Sequence, residues 1–169
     1  MPKAIRQIRV DGNIAYVPLT KGYEAVIDAA DVPLVEGFNW FAHVNRNTVY
    51  AMRNDRSGPK RHTAYLHRAL MCHPDGMEVD HRDGNGLNNT RDNLRVATKS
   101  QNRHNQRLAK DNTSGFKGVY WFNARGKWAA QIVLNGRKRH LGYFASPESA
   151  GAAYAAASAK LHGEFGRTA

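Results

Sequence analysis

Apolar and polar positions along the chain change rhythm twice. From Arg6 to about Tyr65 they alternate with the period of strands: IRVDG, then IAYVPLT, then EAVIDA, with Gly12-Asn13 and Lys21-Gly22 as turn points. Asp31 to Glu36 predicts a short helix ending near Gly37, and the aromatic residues Phe38, Trp40 and Phe41 beyond it are expected in the core. His62 to Met71, HTAYLHRALM, reads as a strand turning into a helix. Glu78 to His81 and Leu94 to Val96 then form two short strands, separated by a DGNGLNN run whose Gly, Asn and Asp tolerate tight turns. Thr98-Lys99-Ser100-Gln101 has the form of a capping box and starts a helix at about Lys99.

After a polar, unpatterned stretch from Ala109 to Gly115, read as a linker, three strands and one helix are predicted: GVYWF, KWAAQIVL, RKRHLGYF and SAGAAYAAASAKLH. Asn135-Gly136 predicts a two-residue hairpin between the last two strands. That turn sets Leu134 opposite Arg137, Val133 opposite Lys138, Gln131 opposite His140, Ala130 opposite Leu141 and Trp128 opposite Tyr143. One face then carries Trp128, Ala130, Ile132, Leu134, Leu141 and Tyr143. A helix capped by Ser146, entered through Pro147 and ended by Gly163 is expected to cover it. The other face carries Gln131, Val133, Lys138 and His140 and is left for a partner. The expected fold class is α+β: a β-rich leader and a strand–strand–helix module over 1–108, a linker over 109–115, and a sheet packed on one helix over 116–169.

Composition narrows the partner. The 25 Lys and Arg against 14 Asp and Glu give +11, the electrostatic footprint of a nucleic-acid binder. Eight of those basic residues, against two Glu, lie from Asn112 onward. Arg53 to Arg61, RNDRSGPKR, reads as an exposed loop able to meet phosphate. No apolar run approaches the ~20 residues of a membrane span, and the N-terminus lacks the apolar segment of a signal peptide, so a cytoplasmic protein is expected. The single cysteine, Cys72, excludes an intrachain disulfide and a multi-cysteine zinc cluster.

Candidate chemistry concentrates in Val79 to Asn102. Asp80 and His81 are adjacent, Asn93 follows His81 by twelve residues and Asn102 by nine more. Two strands, a loop and a helix in so short a span can bring Asp80 close to Asn102, with room for one divalent ion. Oxygen ligands suit a hard ion such as Mg²⁺ or Mn²⁺, and a histidine with an ordinary pKa of about 6.5 can take a proton from water at neutral pH. A calcium-binding EF-hand reading of the same loop fails. With Asp83 and Asn85 at its first and third positions, the required Gly falls on Asn88 and the required Glu on Leu94.

Leu66-His67-Arg68, Asp80-His81, Asn93-Leu94 and Gln101-Asn102 together resemble the HNH endonucleases of ββα-metal fold, of phage and homing type, over roughly 62–108. The resemblance implies that Asp80 and Asn102 hold the metal, that His81 is the general base, and that Asn93 ties the loop together and holds the imidazole. It implies hydrolysis of double-stranded DNA to 5′-phosphate and 3′-hydroxyl ends. His67 is open to three readings: it positions the site, touches DNA, or packs beneath the metal loop. Pro18-Leu19-Thr20-Lys21-Gly22, Val26-Ile27-Asp28 and Trp40 resemble the leader that often precedes phage HNH modules, with no catalytic role attached.

A second resemblance covers 114–165. SGFKGV, WAAQI, HLGYF, AGAAYAAA and HGEF resemble the AP2 domain of plant ethylene-response factors. It implies a three-stranded sheet lying in the major groove, with Lys117, Tyr120, Phe122, Gln131, Val133, Lys138 and His140 at the contacting positions, and with Arg125 and Lys127 meeting phosphate. Several Arg and Trp positions of the plant factors are here Tyr, Phe, Val and His, so the plant target site does not transfer. The combined expectation is a sequence-directed DNA endonuclease that nicks as a monomer or cuts both strands as a homodimer. Its rivals are a non-catalytic AP2-type regulator and a structure-selective nuclease of repair or packaging.

Overall fold

The computed structural model describes residues 4–55 and 62–168, so most of the basic loop read over Arg53 to Arg61 lies outside the described residues. Two compact units are present, 1–97 and 98–169. The helix of the HNH segment therefore groups with the second unit, ahead of the polar stretch at 109–115.

In the first unit, Arg9–Asp11 (β1), Ile14–Pro18 (β2) and Glu24–Asp28 (β3) form an antiparallel sheet in chain order. Their alternation is the expected one: Ala15, Val17, Ala25 and Ile27 point to one face and are at most 1% exposed. Val32–Val35 (α1) follows, then a second sheet of Phe41–Val44 (β4), Val49–Asp55 (β5) and His62–Tyr65 (β6), and the short helix Leu66–Leu70 (α2). Glu78–His81 (β7) pairs antiparallel with Leu94–Ala97 (β8). One core joins them all, since Val17, Ile27, Val35, Trp40, Leu66, Val79 and Leu94 pack together. The leader and the strands of the motif are one hydrophobic body.

The three aromatic residues after α1 do not behave alike. Trp40 is buried and donates its indole N–H to the Val35 carbonyl at 3.0 Å. Phe38 departs from its expected core position and is exposed, because the chain turns at Gly37, φ +79°, before β4 begins. The Arg53 guanidinium covers the Phe38 ring at 3.8 Å, a cation–π contact in place of core packing.

The second unit contains Lys99–His104 (α3), Val119–Phe122 (β9), Lys127–Leu134 (β10), Arg137–Phe144 (β11) and Pro147–His162 (α4). The capping box of α3 forms: Gln101 N donates to Thr98 Oγ at 3.2 Å and Thr98 N to Gln101 Oε1 at 2.8 Å. The polar stretch before β9 ends in fixed structure. Buried Ser114 donates to the Val119 carbonyl at 2.9 Å, and Asn112 Oδ1 accepts from Gly115 N at 2.7 Å. Gly118, at φ +70°, is required where the backbone passes the Gln131 carbonyl and the Tyr154 ring, because a Cβ there would collide with both.

The hairpin turns at Asn135 and Gly136, both at positive φ as a two-residue loop of this hand demands. From Leu134↔Arg137 to Gln131↔His140 the register is the expected one. There it slips. Ala130 pairs with Gly142 and Trp128 with Phe144, not with Leu141 and Tyr143. Leu141 is the extra residue of a β-bulge, and a bulge inverts the face of every later side chain on its strand. Tyr143 therefore lies on the face of Gln131 and His140, and Phe144 replaces it under α4. Val119, Trp128, Ala130, Leu141, Phe144 and Ala150 form the small core between sheet and helix. Among the described residues no helix is long and apolar enough to cross a membrane.

Candidate active site and nucleic-acid face

β7 and β8 set the chemistry of the first unit. Their register places Asp80 opposite Arg95 and His81 opposite Leu94. Asp80 is 4% and His81 5% exposed, so a carboxylate and an imidazole that would sit in water on an ordinary turn are held inside. The Arg95 guanidinium grips Asp80 Oδ2 with Nε at 2.9 Å and Nη2 at 2.8 Å.

The loop between the strands is a network of short polar side chains. Asn93 Oδ1 accepts from Asp83 N at 3.0 Å, while its Nδ2 donates to Asp83 Oδ1 at 3.0 Å and to the Asn88 carbonyl at 2.7 Å. Asn85 N and Asn88 Nδ2 also donate to the Asp83 carboxylate, at 2.7 and 2.8 Å. Burial pushes the Asp83 carboxyl up, but the bonds from Asn85, Asn88 and Asn93 outweigh it and hold the group below the usual carboxylate value. Asn93 is thus placed to tie the loop. The imidazole has a different carboxamide partner. His81 Nε2 lies 3.2 Å from Oδ1 of Asn89, which is fully buried and directs its Nδ2 toward the Gly86 carbonyl.

The leader fixes this loop from below. Val26 N donates to the Leu87 carbonyl at 2.8 Å and Asn89 N to the Val26 carbonyl at 2.7 Å, a short parallel bridge. Arg91 donates its backbone N–H to Asp28 at 2.7 Å and its guanidinium to buried Asp31 at 2.6 to 3.1 Å. Gly86 N meets Thr48 Oγ at 2.8 Å, and a Cβ on Gly86 would lie 2.5 Å from the Val49 carbonyl and 2.6 Å from the Tyr50 ring. The loop can reach its scaffold here only as glycine.

Around His81 stands a shell of rings. His67 meets it edge-on at 5.0 Å between centroids, Tyr50 lies 5.9 Å away, and Tyr65 flanks His67 at 5.2 Å. His67 thus packs directly against the candidate base. Burial pushes the His81 imidazole below its ordinary 6.5, outweighing the Asn89 hydrogen bond and the Asp83 and Asp80 carboxylates, which pull the other way. Burial, with His81, Arg68 and His73 beside it, takes His67 down to about 3. Both rings are neutral at pH 7. Asn89, Arg95, Tyr50 and Tyr65 were not singled out by the sequence. Only Arg95 left a usable signal, since pairing two strands across a loop sets it opposite Asp80.

Within the second unit, Asn102 is half-buried on α3. The carboxylate and carboxamide oxygens of Asp80 and Asn102 are the donor chemistry a hard divalent cation takes. On the sheet, the pairs Lys127↔Phe122, Ala129↔Tyr120, Gln131↔His140 and Val133↔Lys138 place Tyr120, Phe122, Lys127, Gln131, Val133, Lys138 and His140 on one face, opposite α4. Tyr120, Lys127, Val133, Lys138 and His140 are exposed, Phe122 and Gln131 half-buried. Tyr143 joins them through the bulge, 4.4 Å from the His140 ring and beneath the Arg125 guanidinium at 4.6 Å. Lys117 is engaged elsewhere: its Nζ donates to the His104 and Gln106 carbonyls at 2.6 Å each, closing the end of α3, and burial lowers its pKa to about 8.

The HNH endonuclease family matches residues 73–104. Protein 3.8 of Escherichia phage T7 is 38% identical over 82 residues, 48% of this chain and 68% of its own length. An HNH endonuclease of Acanthamoeba polyphaga mimivirus, L560, is 29% identical over 147 residues, 86% of this chain and 74% of its own. No solved structure matches. The chain belongs to the family of phage T7 Protein 3.8, and its residues 73–104 are an HNH endonuclease segment.

Proposed function

We propose that the chain is a metal-dependent, sequence-directed DNA endonuclease of phage and homing type, working in the host cytoplasm. One observation carries this reading: Asp80 and His81 are adjacent, buried and individually held, the first by Arg95 and the second by Asn89. A surface turn needs none of that. If Asn89 Oδ1 accepts from Nε2–H, the lone pair of the neutral ring is on Nδ1, and that atom takes the proton from the attacking water. Asn93 keeps the loop closed while the proton moves. Asp80 and Asn102 are the residues that would hold Mg²⁺ or Mn²⁺, which supplies charge stabilisation on the phosphoryl and leaving oxygens.

Residues 1–108 then form the nuclease, 109–115 the linker, and 116–169 an AP2-type domain whose basic face lies on double-stranded DNA. One site cuts one strand, so a monomer nicks and a homodimer cuts both. Supercoiled plasmid should be relaxed at low salt with Mg²⁺ or Mn²⁺ and remain intact with chelator. If DNA is bound but never cut with either ion, the non-catalytic AP2-type regulator replaces this reading.

The sheet face has its own expected result. Lys138→Ala combined with His140→Ala should weaken duplex binding about ten-fold at low salt and reduce the slope of log affinity against log salt by about 1, because one phosphate-neutralising charge is lost. Titrations at several salt concentrations read both. Unchanged affinity would move the DNA contact off this face.

A further inference from the structure

The buried Arg95 asks for an explanation. A cross-strand neighbour of Asp80 at 7% exposure could be apolar, and replacing a buried ion pair by packed hydrophobic side chains is often neutral or stabilising. The position instead holds a guanidinium with two donors on one oxygen, Oδ2, of the carboxylate. The guanidinium thereby fixes the orientation of the carboxylate. It also brings the pair to net zero, so an incoming divalent ion meets a neutral site rather than a negative one.

We propose that Arg95 is a positioning residue that stands in for the metal ion at Asp80. It orients the carboxylate, and by its charge it holds affinity for Mg²⁺ or Mn²⁺ low until DNA brings the phosphate charge that completes the site. This rests on the endonuclease reading. Metal loading and substrate binding are thereby coupled: the ion binds well only where there is a phosphate to act on, and by linkage DNA binds better when the ion is present.

The test uses the full chain carrying His81→Ala, so that DNA stays intact, and measures Mn²⁺ binding by electron paramagnetic resonance with and without a short duplex. Without DNA, Arg95→Met should bind Mn²⁺ at least about ten-fold more tightly than Arg95, and Arg95→Lys, which keeps the charge, should stay within about three-fold. Adding duplex should tighten Mn²⁺ binding far more in the Arg95 protein than in Arg95→Met. Equal or weaker Mn²⁺ binding by a folded Arg95→Met overturns the proposal. Should Arg95→Met unfold, Mn²⁺ must restore its near-ultraviolet circular dichroism by replacing the lost cation, and failure to do so also overturns it. Mn²⁺ binding that disappears in Asp80→Asn but ignores Arg95 removes this inference alone. No Mn²⁺ binding by any protein, even with duplex, removes the endonuclease reading as well.

Discussion

Replacing His81 with alanine is expected to lower the rate of strand cleavage by about 10²- to 10⁴-fold, the usual contribution of a positioned general base, while duplex binding stays within about two-fold. His81 lies in the first unit and the basic sheet face in the second, so the substitution removes the proton acceptor and leaves Lys138 and His140 as they are. Plasmid relaxation read beside a gel shift separates the two effects. Residual cleavage within ten-fold of wild type would take His81 out of the chemistry. The pH profile supplies a second readout. A general base works only when neutral, and burial holds this imidazole below its ordinary 6.5, so cleavage by the wild type should persist below pH 6.5 and fail only on further acidification. An exposed histidine would lose half its activity at about 6.5.

The legible parts of this protein are those whose signal is short in sequence. Asp80 and His81 are neighbours in the chain, the capping box of α3 spans Thr98 to Gln101, and the positive φ of Asn135-Gly136 is a property of two residues. Each could be read without knowing what lies across the fold. The basic sheet face was also readable as far as its hairpin register held. It failed at Leu141, because a bulge depends on packing under α4 and leaves no mark in the alternation except a glycine, Gly142, beside it. Tyr143 changed faces as a result. The supports of the site were illegible for a related reason. Asn85, Asn88 and Asn89 look alike in a turn-forming run, yet only the backbone bridge to Val26 fixes Asn89 inward, against His81. Asp28 and Asp31 looked like an ordinary strand end and helix start, and their partner Arg91 is about sixty residues away. The leader had no assigned role; holding the loop between β7 and β8 through Val26, Asp28 and Asp31 is a role only tertiary structure can display.

His67 is expected to make the first unit acid-sensitive. Its ring is 7% exposed, and its buried Nδ1 has no hydrogen-bond partner among the described residues. Burial is the main reason it titrates at about 3, helped by His81, Arg68 and His73. In the unfolded chain the same ring takes its proton at about 6.5. Between those values the unfolded state binds a proton that the folded state refuses, so stability is full above about pH 6.5 and falls as pH drops toward 3. The loss is about 2 kcal/mol at pH 5 and about 4 kcal/mol at pH 3, a large share of the ~5–15 kcal/mol that holds an ordinary domain together. His81, also buried and lowered, adds to it in the same direction. Hydrogen exchange of the β7 and β8 amides from pH 7.5 down to 4.5 measures the loss where it occurs. His67→Leu keeps the volume, removes the unpartnered nitrogen and removes the titration. It should match or exceed wild-type protection at pH 7.5 and show a shallower fall below pH 6.5, with the remaining slope belonging to His81. An unchanged slope would assign the acid sensitivity to His81 alone and mean that His67 is accommodated as an imidazolium.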